Sequence, residues 1–316
     1  MMRRIRCLGV VLLLMGLLLA SAAGLSVVFM PKDNRAECGM VEPVANGFLG
    51  EREHSIDVLF VGDSEVYRAY SPLQMWHEQG FTSYVAATAG QILPYGNTLL
   101  SRALENQSPQ VVVIETDFLY REFSLGDGVF RFAQDVLPVL EYHNRWKALT
   151  VADFHTRPRA TWTDDYKGYQ PIKDVKAADV SDYGAASDEV ARVPRNNQLW
   201  LRLMVRSCRA HGATPVLMST PSPVNWNMAK HNGTQLVADE LGVTFVDLNL
   251  AQEEIAIDWA NETYDAGDHL NHAGAVKVSR YVGQLLSREY CLVDRRSDPA
   301  YALWNASYER YREAGL

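Results

Sequence analysis

The chain has 316 residues, enough for one large domain or for one domain with a sizeable insertion. Its 30 basic and 38 acidic side chains give a formal net charge of −8. That balance argues against a general nucleic-acid binder, which needs a basic face, and we expect no nucleic-acid partner.

Residues 1–32 are predicted to be a membrane anchor or a signal segment. An apolar run from Cys7 to Met30 follows a basic flank formed by Arg3, Arg4 and Arg6. The run is long enough to span a bilayer, whereas the core of a signal peptide has about 7–15 residues. We therefore expect a single pass through the cell membrane by residues 5–30, with everything after Lys32 outside the cell. Cleavage after the small residues at 20–22, which would release a secreted protein, is the alternative.

The other cysteines are Cys38, Cys208 and Cys291, and their spacing shows no metal-binding pattern. In an oxidising compartment Cys38 and Cys291 could join the two ends of the globular part. Other pairings, and unpaired buried thiols, stay open as alternatives.

Strands and helices are predicted to alternate from residue 56, after a polar lead-in at 33–55. The short apolar runs predict strands at 57–61, 82–87, 110–115, 215–219 and 243–248. Helical spacing and start and stop signals predict helices at 72–79, 94–106, 198–210 and 228–240, and a last one through Ala275, Val278, Val282 and Leu285. This alternation predicts about five parallel strands with helices on both sides of the sheet.

The predicted domain at 56–316 is interrupted by residues 118–198, which show no clear strand rhythm. We interpret this segment as an insertion over the strand ends that forms a lid or binds substrate. A poorly ordered connection is the alternative.

Gly62, Asp63 and Ser64 follow the first predicted strand directly. Parallel sheets bind ligands outside the carboxyl ends of their strands, so a serine at this point is a candidate nucleophile. The alternative is that these residues only cap the following helix.

His269 is the predicted base for Ser64. It lies in the loop between the last strand and the final helix, which opens at the same edge of the sheet as the Ser64 turn. Asp265 precedes it by four residues and can share its face, so Asp265 is the predicted orienting acid. Asp268 is expected to cap the final helix and is the alternative acid.

These motifs resemble the SGNH (GDSL-type) hydrolase family. The resemblance rests on Gly62-Asp63-Ser64, on Gly90 after the second strand, and on the loop His269-Leu270-Asn271 before the last helix. The final loop, together with residues 220–232 and the tail at 294–304, is similar to membrane-anchored bacterial members related to teichoic-acid D-alanylation and alginate O-acetylation.

The resemblance implies a three-layer α/β/α, flavodoxin-like domain and an oxyanion hole. It implies backbone donors from Ser64 and Gly90 and a side-chain Asn after the third strand. This chain has Glu115-Thr116-Asp117 there instead, so Thr116, Gln91 or Asn227 would have to serve. The family also places an Asp three residues before the His, a position held here by Ala266.

We therefore expect a Ser-His-Asp ester hydrolase or O-acyltransferase that acts on acylated extracellular cell-envelope polysaccharide. The resemblance also implies a possible membrane acyltransferase partner, and we expect neither a cofactor nor a metal. A non-catalytic glycan-binding or scaffold protein on the same fold is the alternative, because the third-strand Asn is missing and the Asp is displaced.

Overall fold

The computed structural model describes residues 2–316, and their side chains from residue 6 onward. The chain forms two compact units. The first contains Met1–Pro43 and Ser124–Trp162, and the second contains Val44–Phe123 and Thr163–Leu316. The segment predicted as an insertion, 118–198, is therefore divided between the two units.

All five predicted strands are present. They are β1 Val58–Gly62, β2 Ser83–Ala87, β3 Val111–Glu115, β4 Thr214–Ser219 and β5 Thr244–Asp247. The helices are α1 Met2–Phe29, α2 Ser64–Ala69, α3 Pro72–Gln79, α4 Leu93–Asn106, α5 Leu125–Val136, α6 Val139–Tyr142, α7 Arg195–Ala210, α8 Met228–Leu241, α9 Gln252–Ile255, α10 His272–Tyr290 and α11 Ala302–Glu313.

The second unit is built on one parallel sheet with the strand order β2-β1-β3-β4-β5. This is the flavodoxin-like order, in which the chain switches direction between β1 and β3. The register pairs Gly62 at the end of β1 with Ala87 at the end of β2. The turns that follow β1, β2 and β3 therefore open at the same edge of the sheet.

Helices cover both faces of this sheet, which confirms the predicted three layers. On one face, α4, α7 and α8 pack on strand residues such as Val61 and Ile114. On the other, α2, α3 and α10 pack on residues such as Phe60 and Val113. Because both faces are buried, β1, β2 and β3 are apolar or small at every central position.

The first unit contains α1, whose segment Arg6–Phe29 is long and apolar enough to cross a membrane. A signal sequence near an N-terminus would meet the same criterion. The same unit holds α5, a three-turn helix in a segment that the sequence analysis treated as irregular. The cysteines of both units are all free thiols, so the pairing considered for Cys38 and Cys291 is not formed.

Gly168 supports the outer side of the edge strand β2, and its substitution should destabilise the second unit. Its φ is +90°, and an added Cβ would lie 2.0 Å from the Val85 carbonyl oxygen. We expect Gly168→Ala to lower the free energy of unfolding by about 3 kcal/mol or more, from backbone strain and overpacking together. Gly184 is the matched control: its φ is +80° in open space, so its alanine variant should cost only the strain of about 1–2 kcal/mol. Denaturant unfolding of both variants measures the difference, and equal losses would contradict this account.

Candidate active site

The turn after β1 gives separate roles to Asp63 and Ser64. Asp63 caps α2, because its side chain accepts a hydrogen bond from the Glu65 N–H at 3.1 Å. Ser64 is the first residue of α2 and is only partly buried. Its hydroxyl makes no hydrogen bond within the described part of the chain. The capping role considered for this turn thus belongs to Asp63, and the serine hydroxyl is available for another partner.

Gly62 lets α2 approach the sheet closely. A Cβ at this position would lie 2.3 Å from the Val66 side chain and 2.7 Å from Glu115 Cβ. No larger residue fits without displacing α2 or β3. The glycine of the Gly-Asp-Ser sequence is therefore required by packing at this turn.

His269 is held by Asp265 through two hydrogen bonds. The imidazole Nδ1 lies 2.7 Å from Asp265 Oδ2, and the His269 backbone N–H donates to Asp265 Oδ1 at 2.7 Å. The loop between them turns through Ala266 and Gly267, whose φ angles are +68° and +95°. A carboxylate on Nδ1 favours the tautomer with its proton there, which leaves Nε2 as an acceptor. Nε2 has no hydrogen-bonding partner among the described residues.

Asp268 lies farther from the imidazole and does not cap the final helix. Its Oδ2 is 3.7 Å from His269 Nδ1, and its Oδ1 accepts a hydrogen bond from the Asn225 amide at 2.5 Å. The cap of α10 is Asn271, which accepts hydrogen bonds from the N–H groups of Ala273 and Gly274. The predicted capping role for Asp268 was therefore wrong.

Asn225 ties the His269 loop to the first turn of α2. Its amide donates to Glu65 Oε1 at 2.6 Å as well as to Asp268. One nitrogen or oxygen atom from each of Glu65, Asp268 and His269 lies within 4.8 Å of the others. The His269 loop is thereby fixed beside Glu65, the residue that directly follows Ser64.

Glu65, Asp268 and His269 form the one group of described side chains close enough together to hold a metal ion. The donor set suits a cation poorly. Glu65 is completely buried, Asn225 occupies its Oε1, and Asp265 occupies Nδ1 of the imidazole. The arrangement fits an orienting network better than a metal centre.

Two buried acids lie beneath the Ser64 turn, and burial favours the neutral form of both. Desolvation raises the pKa of Glu65 well above its usual value, and the charges of Glu115 and Asp63 raise it further. Desolvation likewise raises the pKa of Glu115, with Asp63 and Asp117 adding to the shift. A raised pKa means that the site favours the protonated, uncharged carboxyl group over its ion. Burial therefore disfavours a negative charge on Glu115, a charge that would repel an oxyanion at this end of β3.

The predicted oxyanion donors differ in their exposure and in their position relative to the Ser64 turn. Gly90 is exposed in the turn after β2, with φ +60°. The Gln91 amide nitrogen is buried and lacks a partner among the described residues, while Gln91 Oε1 accepts from Thr88 at 3.0 Å. Thr116 lines a small cavity of about 10 Å³ beside Glu65. Asn227 lies outside that cavity, exposed as the N-cap of α8.

Two residues of this region were missed by the sequence analysis. Asn225 lies two positions before the asparagine that was considered, and nothing in the sequence distinguishes the two. Arg121 follows β3 by six positions, at the start of the irregular segment. Its Nη2 donates to Asp63 Oδ2 at 2.9 Å, and its Nη1 lies 3.8 Å from where a Cβ on Gly90 would be. The guanidinium group thus lies between the turns after β1 and β2.

No family model matches the chain, and no curated protein matches it. Several solved structures are similar to it. One is TesA, at 15% identity over 73% of this chain and 98% of that one, with a TM-score of 0.39. Another is the lipase/acylhydrolase from Enterococcus faecalis, at 12% identity over 77% and 100% of the two chains, with a TM-score of 0.39.

A third similar structure is a catalytic mutant of an acetylxylan esterase from Geobacillus stearothermophilus. The identity is 16% over 78% of this chain and 98% of that one, and the TM-score is 0.35. All three TM-scores are below 0.5. The function proposed below therefore rests on this chain's own residues.

Proposed function

We propose that the chain is a serine ester hydrolase or O-acyltransferase of the SGNH type, with Ser64, His269 and Asp265 as its catalytic residues. One observation carries the proposal. The Asp265–His269 pair, whose Nε2 makes no hydrogen bond among the described residues, is fixed beside Glu65. Glu65 directly follows Ser64, whose hydroxyl also makes no hydrogen bond among the described residues. Nucleophile, base and orienting acid are what acyl transfer through serine requires.

The proposed reaction begins when Ser64 Oγ attacks the carbonyl carbon of an acyl ester. His269 Nε2 takes the hydroxyl proton, and Asp265 stabilises the imidazolium that forms. The tetrahedral intermediate collapses, and His269 returns the proton to the departing alcohol. Water or the hydroxyl of an acceptor then attacks the acyl-serine ester, again with His269 as base, and Ser64 is regenerated.

Backbone N–H groups of Ser64 and Gly90 are the proposed donors to the oxyanion, and we add Arg121 to them. The site lacks the side-chain Asn that the family resemblance implies. The guanidinium beside Gly90 brings a positive charge to the same edge, and its Nη1 makes no hydrogen bond among the described residues. A donor aimed at developing charge stabilises the transition state more than the ground state.

Replacing Arg121 with glutamine should lower kcat by about 10²-fold with little change in KM, the effect expected for loss of one oxyanion donor. Steady-state hydrolysis of an activated aryl acetate by the purified full chain measures both constants. Millimolar guanidinium should restore part of the lost kcat, a recovery that a structural role would not show. Asp63→Asn is the matched control, because it removes the charge partner of Arg121 and keeps a capping side chain. An equal kcat loss in Asp63→Asn without guanidinium rescue of Arg121→Gln would contradict the role.

The proposed location is the outer face of the cell membrane, with α1 as a single-pass anchor. The family resemblance and this location together support an acylated cell-envelope polysaccharide as substrate. They also support a membrane acyltransferase as a partner. Release as a secreted protein after cleavage near residues 20–22 is the alternative outcome. Fractionation of cells that express the full chain separates the two.

A fluorophosphonate ester tests the proposed nucleophile directly. The reagent phosphonylates activated serines, so peptide mass spectrometry of the labelled full chain should find the added mass on Ser64. Labelling should disappear when His269 is replaced by alanine, because the serine then lacks its base. Absence of label on the wild-type protein would favour the second candidate, a non-catalytic glycan-binding or scaffold protein. That candidate is favoured by one observation, the lack of an Asn after β3.

A further inference from the structure

Helix α5 has its apolar side chains outside and its charged side chain inside. Leu125, Val129, Phe132 and Val136 are 60–70% exposed, whereas Arg131 is 8% exposed. The four apolar residues follow the spacing i, i+4, i+7 and i+11, so they form one continuous stripe along the helix. Phe130 beside them is also exposed. In a water-soluble protein the stripe would face the core.

The buried charge of α5 forms two ion pairs that hold this orientation. The Arg131 guanidinium donates to Asp135 Oδ1 at 2.8 Å and to Glu141 Oε2 at 2.9 Å. The Glu141 side chain, just after α5, is only 4% exposed. Turning the apolar stripe inward would break these bonds and leave buried charges to be resolvated. The outward apolar stripe is thus the built arrangement of this helix.

The elements next to α5 are attached to the end of the membrane-spanning helix of the same unit. The Val139 N–H donates to Ser26 Oγ at 3.2 Å, and the Arg145 guanidinium donates to the carbonyls of Phe29 and Met30. The apolar run of α1 ends at these residues. If α1 crosses a bilayer, the segment after α5 lies where α1 emerges from it.

Further side chains of this segment are those found at membrane–water interfaces. Trp146 and Phe154 are more than 60% exposed, and Lys147 is adjacent to Trp146. Tryptophan and basic residues are enriched at the level of the lipid headgroups. One compact unit thus contains the exposed apolar stripe, the exposed aromatic rings and the end of the apolar helix α1.

We infer that the stripe of α5, together with Trp146 and Phe154, lies in the headgroup region of the bilayer that α1 crosses. The inference rests on the proposed membrane anchor and is independent of the catalytic proposal. A lipid surface fits better than a protein partner because the stripe belongs to the unit that carries the span. Interfacial helices bury their apolar face about 5–10 Å into the boundary of headgroups and acyl chains.

The test uses the full chain reconstituted into phosphatidylcholine–phosphatidylglycerol vesicles, with or without bromine on the acyl chains. Bromine quenches tryptophan emission on contact, so Phe132→Trp adds a reporter on α5. Leu303→Trp on α11, in the other unit, is the matched control because Leu303 is also an exposed leucine. We expect the emission added by Phe132→Trp to be quenched severalfold more strongly than that added by Leu303→Trp.

The outcomes separate this inference from the anchor on which it depends. Failure of the protein to float with the vesicles would overturn the anchor. Flotation with equal quenching of the two reporters would overturn only the interfacial position of α5. We also expect the vesicles to protect Trp146 from quenching by iodide, with its emission taken as the difference between the chain and its Trp146→Phe variant. Replacing Val129 and Phe132 together with aspartate, with α1 intact, should leave flotation unchanged and remove this protection. Retained protection would also contradict the inference.

Discussion

Replacing Ser64 with alanine is expected to lower kcat for an activated aryl acetate by about 10⁴-fold or more, as loss of the nucleophile does in other serine enzymes. The hydroxyl of Ser64 makes no hydrogen bond among the described residues, so the change removes one atom that supports no structure. The Ser64 hydroxyl takes no part in the hydrogen bonds of Asn225 or in the Asp63 cap of α2. We therefore expect the thermal unfolding midpoint of Ser64→Ala to match that of the wild type, and circular dichroism measures it alongside the kinetics.

His269→Ala and the double variant are the controls for this prediction. Residues that act as one catalytic unit are strongly non-additive, so the double variant should be no slower than either single variant. Acyl release that survives Ser64→Ala would remove the serine mechanism. Losses that multiply in the double variant would show that the two residues act separately.

The fold could be predicted from the sequence because its signals are local. The strand predicted at 110–115 contains a run of valine and isoleucine at 111–114, which is typical of a sheet buried on both faces. Helix α3 begins at Pro72 after the Ser71 cap and ends at Gly80, whose φ is +80°, as the start and stop signals indicate. The strand order was not given by these local signals; the flavodoxin-like order was implied by the family resemblance.

The parts that were missed depend on contacts that no local pattern encodes. Asn225 matters because it reaches Glu65, 160 positions earlier in the chain, and Asp268, 43 positions later. Arg121 comes from an irregular segment, and only the sheet edge brings it to Asp63. Helix α5 is a different case, because its Ser124 cap and its apolar spacing i, i+4, i+7 and i+11 are local signals that were overlooked. Only the outward orientation of its apolar stripe depends on the fold.

The raised pKa of Glu115 could not be predicted either. In the sequence it is one acid in Glu115-Thr116-Asp117, and an ionised group there would oppose an oxyanion. Complete burial raises its pKa well above the usual value, and the charges of Asp63 and Asp117 add to the shift, so the fold favours the carboxylic acid over its ion. Depth of burial is a property of the packed fold. On an exposed loop the same three residues would carry two negative charges.

The choice of the orienting acid predicts a large difference between two similar substitutions. Asp265→Asn should lower kcat by about 10⁴-fold, the size of the loss when the acid of a serine triad becomes an amide. Asparagine can donate a hydrogen bond to Nδ1, which would move the imidazole proton to Nε2 and remove the base. Asp268→Asn should lower kcat by less than about 10-fold, because its amide oxygen can still accept from Asn225.

Steady-state kinetics of the two variants on the same aryl acetate measures this difference, with unfolding midpoints to show that both are folded. Both carboxylates approach Nδ1 of His269, Asp265 at 2.7 Å and Asp268 at 3.7 Å. Only the first distance is short enough for a hydrogen bond, so the geometry favours Asp265 as the orienting acid. A larger loss from Asp268→Asn would reverse the assignment and make Asp265 the loop's structural acid. The four-residue spacing to His269 would then fix the backbone turn, since Asp265 also accepts the His269 N–H.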